Sequence, residues 1–250
     1  KCNRFHTDTW DEACQAVHSG KANYSVLPIE NSYTGAISDV VDLLGTHKLY
    51  IVGESNVAVR HCLLGIPGSK KEDIKTVYSH EQGILQCREF LKTFSDIRCE
   101  SCLNTAVSAK MVAESKDRSK AAIASKRNAE LYGLEILAEN INFSSNNTTR
   151  FVVVGAKPEI NENCNKISIA FTLPHESGTL YGVLSTFARG GLNLLKIESR
   201  PIHERNFEYM FYVDFSGNIL DPHVRTIIEN VMGQTTEFKL LGNYKAGEKI

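Results

Sequence analysis

"KISIAFTLPHESGTLYGVLSTFARGG", residues 166–191, begins as one kind of secondary structure and ends as another. Its first nine residues carry Ile167, Ile169, Ala170 and Phe171 and close on Pro174, which predicts a buried strand. From Gly178 the apolar positions Leu180, Leu184 and Phe187 recur at helical spacing until Gly190 and Gly191 stop the run. Two strands follow, "LNLLKIESRPI" (192–202) and "FEYMFYVDFSG" (207–217). A helix, "DPHVRTIIENVMG" (221–233), and a last strand, "TEFKLLGNYK" (236–245), complete the pattern. Strand, helix, strand, strand, helix, strand is the split βαβ order of a ferredoxin-like sheet.

Upstream, "AKPEINENCNK" (156–166) is polar, contains a proline and lacks periodicity, as a linker does. Two domains are therefore expected, residues 1–158 and 165–250. The first alternates strands, "YSVLPIE" (24–30), "LYIVGESNVAV" (49–59), "RHCLLGI" (60–66) and "IKTVYS" (74–79), with amphipathic helices. The helices are read at 36–45, ending on Gly45, at 81–94 and at 105–115; a short strand and a fourth helix share 120–133. That rhythm predicts an α/β domain.

Composition narrows the function. A net charge of −1 without a long basic run speaks against nucleic acid as a principal partner. No stretch approaches the roughly 20 apolar residues of a membrane span, and the polar N-terminus has no initiator Met. Seven cysteines without scaffold spacing suggest reduced thiols and a cytoplasmic setting. Cys99 and Cys102 form a C-x-x-C, but no second ligand pair accompanies it, so no metal site is expected.

Three junctions in the first domain carry small polar residues where a strand is expected to meet a helix. "PIENSYTGA" supplies Glu30, Asn31 and Ser32; "YSHEQ" places Ser79 as an N-cap with Gln82 three residues on; "CLNTAV" supplies Asn104 and Thr105. Helix N-termini expose unpaired N–H groups and favour anions. Gln86 lies two helical turns beyond Ser79, on the same side. "FSSNNTTRFVVV" (143–154) sets Thr149 and Arg150 side by side where a polar loop enters a strand. The set is rich in hydroxyl and amide donors, with no nucleophile beside a base.

In this order, "VLPIENSYTGAISDVVDLL", "YSHEQGILQC", "AAIAS…AELYGLEILAENI" and "NNTTRFVVV" resemble a prephenate dehydratase, and "SGTLYGVLSTFARGGLNLLKIESRPI" resembles the ACT regulatory domain that follows it. The resemblance spans about residues 10–245. It implies a two-subdomain, periplasmic-binding-protein-like dehydratase with a central cleft, acting without a cofactor on prephenate to give phenylpyruvate. It also implies feedback by L-phenylalanine at an ACT interface in a homodimer or homotetramer.

Prephenate loses CO2 and hydroxide together, and aromatisation drives the step. What such a reaction needs is a donor at the leaving oxygen. The resemblance gives that role to Thr149, while the Arg150 guanidinium can either clamp a carboxylate bidentately or brace the loop as an ion pair. Asn31, Ser32, Ser79, Gln86 and Thr105 would position substrate, while Glu30, a carboxylate beside a dianion, would either pair with Arg150 or stay protonated. For the effector it implies Ser177, Gly178, Thr179 and Leu180 facing Glu198, Ser199, Arg200 and Pro201.

The chain departs from the family pattern in four places. The opening glycine-rich stretch is missing, so the sequence is expected to start inside the domain, and a preceding chorismate mutase domain stays open. S-H-P-Q reads S-H-E-Q, Asn104 stands where Ser is usual, and G-A-L reads Gly178-Thr179-Leu180. Arogenate dehydration, which differs in an amino for a keto side chain, is an open alternative. So is a sensor that binds an aromatic metabolite without turnover. A structural dimerisation protein fits the polar strand ends less well.

Overall fold

The computed structural model describes residues 3–143, 146–202, 205 and 207–248, apart from the side chain of Ser38. The chain forms two compact units, residues 1–57 with 149–250, and residues 58–148. In chain order the first unit opens with α1 (Trp10–His18), β1 (Tyr24–Asn31), β2 (Gly35–Ala36), α2 (Ser38–His47) and β3 (Tyr50–Ala58). The second holds β4 (Cys62–Gly65), β5 (Thr76–Ser79), α3 (Glu81–Gln86), α4 (Arg88–Leu91), β6 (Arg98–Ser101), α5 (Thr105–Ser115), β7 (Lys120–Ala124), α6 (Lys126–Tyr132) and β8 (Glu135–Ala138). The first resumes with β9 (Thr148–Gly155), β10 (Lys166–Thr172), α7 (Thr179–Arg189), β11 (Leu194–Pro201), β12 (Tyr209–Ser216), α8 (Pro222–Met232) and β13 (Glu237–Tyr244).

The first unit contains two sheets, ordered β2-β1-β9-β3 and β11-β12-β10-β13. The second of these is antiparallel throughout, which is the ferredoxin-like arrangement expected from the βαββαβ order. Alternation along its strands divides the side chains between two cores. Ile167, Ile169, Phe171, Val213 and Phe215 pack against Val183 and Phe187 of α7 and Val224, Ile227, Ile228 and Val231 of α8. Ala170, Leu241 and Tyr244 turn to the other face and join Leu27, Ile51, Val152 and Val154 of the first sheet with Val40, Val41 and Leu44 of α2. Of the expected core positions, Phe187 is fully buried, while Leu180, Leu184, Leu192 and Leu194 are half-buried.

Gly242 is required in this shared core. The pairing of β10 with β13 slips between Ser168 and Ile169, and at Gly242 an added Cβ would collide with the Ile51 carbonyl oxygen. Burying two sheets against each other thus depends on a missing side chain.

The second unit is a five-stranded sheet ordered β6-β5-β7-β4-β8. β5 runs parallel to β6 and β7, and β4 is antiparallel to β7 and β8. Two small cores flank it, one built on Leu64, Val112 and Ala122 under α5, the other on Leu63, Val77, Ile123 and Leu91.

Local structure departs from expectation at three points. α2 does not stop at Gly45 but runs to His47, and Lys48 ends it in the left-handed region at φ 53°. The expected helix over 81–94 is broken at Cys87, because the Gln86 carbonyl accepts from the Phe143 N–H at 2.9 Å and so leaves the helical ladder. "PIENSYTGA" is a tight β1–β2 hairpin and not a strand-to-helix junction; α2 begins after Ile37, which supplies no side-chain cap.

Candidate active site

A bulge in β1 sets the register of the first unit's candidate residues. Pro28 pairs with Phe151, Ile29 is the extra residue, and the ladder resumes with Glu30 opposite Arg150 and Asn31 opposite Thr149. Pro28 has no N–H to offer, and β2 covers β1 only at Glu30 and Asn31, so the proline sits where no partner strand requires its hydrogen. Asn31 then donates from Nδ2 to the Thr149 Oγ1 at 3.0 Å. Its Oδ1 accepts from the backbone N–H groups of Tyr33 and Thr34, at 3.0 and 3.1 Å, which closes the hairpin as an Asx turn. Ser32 is exposed on that turn. The Thr149 hydroxyl, half-buried, is therefore an acceptor toward Asn31, and no described residue accepts its proton.

Arg150 does not share that face. Successive side chains on a strand point to opposite sides, so its guanidinium enters the core beside Val152 and Val154. There its Nε donates to Glu54 Oε2 at 2.7 Å, Nη1 meets Asp214 Oδ2 at 2.7 Å and Glu30 Oε2 at 3.2 Å, and Nη2 donates to the Tyr244 hydroxyl at 3.0 Å. Glu54 also holds Lys166, at 2.7 Å, and Asp214 accepts from Ser168, which contacts Tyr244. Burial alone lowers the Arg150 pKa, but Asp214, Tyr244 and Glu54 outweigh it and raise it. The expectation of a free carboxylate clamp is corrected: three carboxylates and a phenol already occupy this guanidinium. Glu30 is an ion-pair partner, held also by Lys196 at 3.6 Å.

In the second unit Ser79 is not an N-cap. It is the last residue of β5, fully buried, and its hydroxyl donates to the Ile123 carbonyl at 2.8 Å. The cap is His80, whose Nδ1 accepts from the Gln82 N–H at 3.2 Å. Gly83 rests directly over the Ser79 hydroxyl, with the Thr105 methyl beside it. Asn104 caps α5 as expected, accepting from the Val107 N–H at 2.8 Å, and leaves Thr105 half-buried in the first turn. Gln86 is buried, and its Oε1 accepts from His61 Nε2 at 3.0 Å and from Asn147 Nδ2 at 2.9 Å. Neither partner was expected; His61 stands outside every motif, and Asn147 looked like one more residue of a polar loop. Ser144 and Ser145 of that loop lie outside the described residues.

Residues 1–159 match the family model described as prephenate dehydratase. The chain belongs to the prephenate dehydratase family. It is 40% identical over 97% of its length to an Arabidopsis thaliana protein named arogenate dehydratase/prephenate dehydratase 6, chloroplastic, of which it covers 63%. The chain thus spans about three-fifths of the length of the curated relatives it matches first. Among solved structures, a prephenate dehydratase from Arthrobacter aurescens in complex with L-Phe superimposes with a TM-score of 0.87 at 29% identity, covering 96% of this chain and 80% of that one. GqqA, described as a novel type of quorum quenching acylase, superimposes with a TM-score of 0.88 at 31% identity, covering 96% of this chain and 88% of that one. The α/β fold expected from the dehydratase resemblance is the fold of this family.

Beyond the matched segment, the C-terminal sheet of this family member holds a cavity of about 290 Å³ at the start of α7. Ser177, Thr179 and Leu180 line it with Pro174 and Tyr209. Gly178 precedes the helix at φ 86°, a left-handed conformation suited to glycine, and Thr179 donates to the Pro174 and Glu176 carbonyls at 3.1 Å each. Glu198, Ser199, Arg200 and Pro201 do not line this cavity, so the expected facing pair is not assembled within one chain. Glu198 meets Lys196 at 3.1 Å, and Arg200 reaches α2, where Asp42 receives its Nη2 at 2.7 Å and the Tyr212 hydroxyl at 3.0 Å. Ser199 and Pro201 are exposed on the edge strand β11.

Among the described residues no cluster of His, Cys, Asp or Glu could hold a metal, and no helix is long and apolar enough to cross a membrane. Cys99 and Cys102 are free thiols, as are Cys14, Cys62, Cys87 and Cys164; Cys2 lies outside the described residues.

Proposed function

We propose that this chain catalyses the decarboxylating dehydration of prephenate to phenylpyruvate. One observation carries the reading: Thr149 accepts from Asn31, so its own proton is available to a ligand on the face opposite Arg150. In the reaction the carboxylate on the ring leaves as CO2, its bonding electrons enter the ring, and the ring C–O bond breaks. Thr149 donates to the departing hydroxide, which leaves as water once a proton reaches it through the hydroxyl or solvent. Asn31 orients that hydroxyl. Ser32, Thr105 and Gln86 serve as neutral substrate contacts, Ser79 supports the Gly83 turn, and Arg150 with Glu30 braces the strand that carries Thr149.

The relatives' names pair prephenate with arogenate, whose elimination is chemically the same and yields phenylalanine. We take prephenate as the substrate and arogenate as the outcome that would replace it. The acylase likeness brings a hydrolytic reading, which would make Thr149 a nucleophile. A nucleophilic hydroxyl needs a base, and the Thr149 oxygen faces an amide donor instead.

We further propose that L-phenylalanine regulates the enzyme through the cavity at Ser177–Leu180, in an ACT domain over 165–250. A second copy pairing along the exposed β11 edge would bring Ser199 and Pro201 to that task, in a homodimer or homotetramer. The six cysteines among the described residues are free thiols, which suits a reducing compartment such as the cytoplasm.

The test is product formation from prephenate and from arogenate in parallel, each with and without L-phenylalanine. Prephenate turnover suppressed by phenylalanine supports both assignments. Turnover of arogenate alone replaces the substrate, and turnover of neither favours a sensor.

A further inference from the structure

Gln86 is held by a buried polar cluster of the second unit. His61, Gln86 and Asn147 are all buried. The carboxamide oxygen of Gln86 has two lone pairs, and both are engaged, by His61 Nε2 at 3.0 Å and by Asn147 Nδ2 at 2.9 Å. The backbone around these side chains is fixed as well. The His61 N–H donates to Asn142 Oδ1 at 3.1 Å, the His61 carbonyl accepts from Ile141 N–H at 3.0 Å, and the Gln86 carbonyl accepts from Phe143 N–H at 2.9 Å. A single segment, residues 141–143, therefore ties down both His61 and Gln86.

With the oxygen turned inward, the NH2 of Gln86 is the end that remains, and among the described residues nothing accepts from it. Rotating the amide by half a turn would put its NH2 against the Asn147 NH2 and against an Nε2–H on His61. Two buried donor–donor contacts would replace two hydrogen bonds, an arrangement of high cost in a buried site. A glutamine left to itself offers a ligand either a donor or an acceptor. This one is set to offer a donor.

We propose that His61 is a positioning residue, which through its Nε2–H fixes the Gln86 amide so that its NH2 donates to an oxygen of the substrate. The inference rests on the reading of Gln86 as a substrate contact. A substrate with two carboxylates, a hydroxyl and a carbonyl presents acceptors, and a flipped amide would oppose them with its own oxygen. The sequence motifs contain Gln86 but not the histidine that decides which end of it is used.

The experiment is a double-mutant cycle on kcat/KM with prephenate and with arogenate, using wild type, Gln86→Ala, His61→Leu, His61→Gln and the double variant His61→Leu/Gln86→Ala. Gln86→Ala and His61→Leu should each lose turnover, the latter on the order of tenfold, the worth of one net hydrogen bond. His61→Gln, which can present a donor at the same point, should recover most of what His61→Leu loses. In the Gln86→Ala background His61→Leu should change nothing further. Full additivity of the two losses, or an unimpaired His61→Leu beside an impaired Gln86→Ala, overturns the proposal and leaves the reading of Gln86 standing. Full activity in Gln86→Ala overturns both. Should His61→Leu fail to fold, a long-range ¹H–¹⁵N spectrum of the wild type decides: a proton on Nε2 supports the assignment, and an Nδ1–H tautomer with bare Nε2 overturns it.

Discussion

Asn31 donates to the Thr149 hydroxyl oxygen at 3.0 Å, across a pair of strands whose register is set by one extra residue, Ile29. The direction of this bond matters more than its length. An amide donor on the oxygen leaves the hydroxyl proton for a ligand, whereas an acceptor at residue 31 would claim it. Thr149→Ala should therefore lower kcat by about 10²- to 10³-fold, with KM moving far less. Asn31→Asp should give a loss of the same kind, because a carboxylate there takes the Thr149 proton. Steady-state kinetics decide; a loss expressed mainly in KM in both variants would remove Thr149 from the chemical step.

The guanidinium one residue away has a different task. Arg150 faces Glu54 and Asp214, each with a nearly buried side chain, and reaches Tyr244, so it joins the first sheet to strands β12 and β13. Removing it strands the buried Asp214 carboxylate and leaves Glu54 to Lys166 alone, and Arg150→Leu should destabilise the fold by about 3–5 kcal/mol. Arg150→Lys should recover only part of that, since one ammonium cannot reproduce a fork with donors at Nε, Nη1 and Nη2. Denaturant unfolding measures both variants. An Arg150→Leu protein as stable as wild type but unable to bind substrate would return the arginine to the site.

Legibility in the sequence followed the range of the interactions. The C-terminal βαββαβ sheet could be read because alternation, helical spacing and turn glycines are local. The start of α5 is legible because Asn104 caps it. α1 was missed although Thr9 and Glu12 form a T-x-x-E box, with the Thr9 hydroxyl accepting from Glu12 N–H and the Glu12 carboxylate from Asp8 N–H. β6 is short and exposed along its whole length, so no hydrophobic pattern marks it. The break at Cys87 is caused by Phe143, and the partners of Arg150 lie 96 residues away at Glu54 and 94 away at Tyr244. Within the candidate site, residue types could be read, but which face each side chain takes could not. Thr149 and Arg150 look like a pair in the sequence and are separated by the two-residue period of the strand that carries them.

Burial makes His61 a source of acid sensitivity. It holds the imidazole below its ordinary pKa, with the Gln86 hydrogen bond acting in the opposite sense. A histidine whose pKa is lower folded than unfolded binds more protons in the unfolded chain. Its contribution to stability is therefore complete above the unfolded pKa of about 6.5 and declines as the pH falls below it. Unfolding free energy measured between mildly acidic and neutral pH should fall toward acid more steeply in wild type than in His61→Gln. Identical slopes would mean that His61 titrates alike in both states.

Gly178 tests the proposed effector cavity separately from the chemistry. At φ 86° it enters α7 in a conformation that a Cβ disfavours, and nothing lies within 4 Å of where that Cβ would sit. Any penalty for Gly178→Ala is thus conformational, about 1–2 kcal/mol, and the backbone can relieve it only by moving the turn that carries Ser177 and Thr179. These two residues line the cavity, and the Thr179 hydroxyl bonds to the Pro174 and Glu176 carbonyls hold the turn in shape. A reshaped turn should weaken L-phenylalanine binding, so inhibition should require a higher effector concentration in Gly178→Ala than in wild type. The measure is the ratio of turnover with and without L-phenylalanine across a titration, taken separately for each protein so that differences in absolute rate cancel. An unchanged inhibition curve would mean that the effector does not depend on this turn, and the cavity at the head of α7 would lose its assignment.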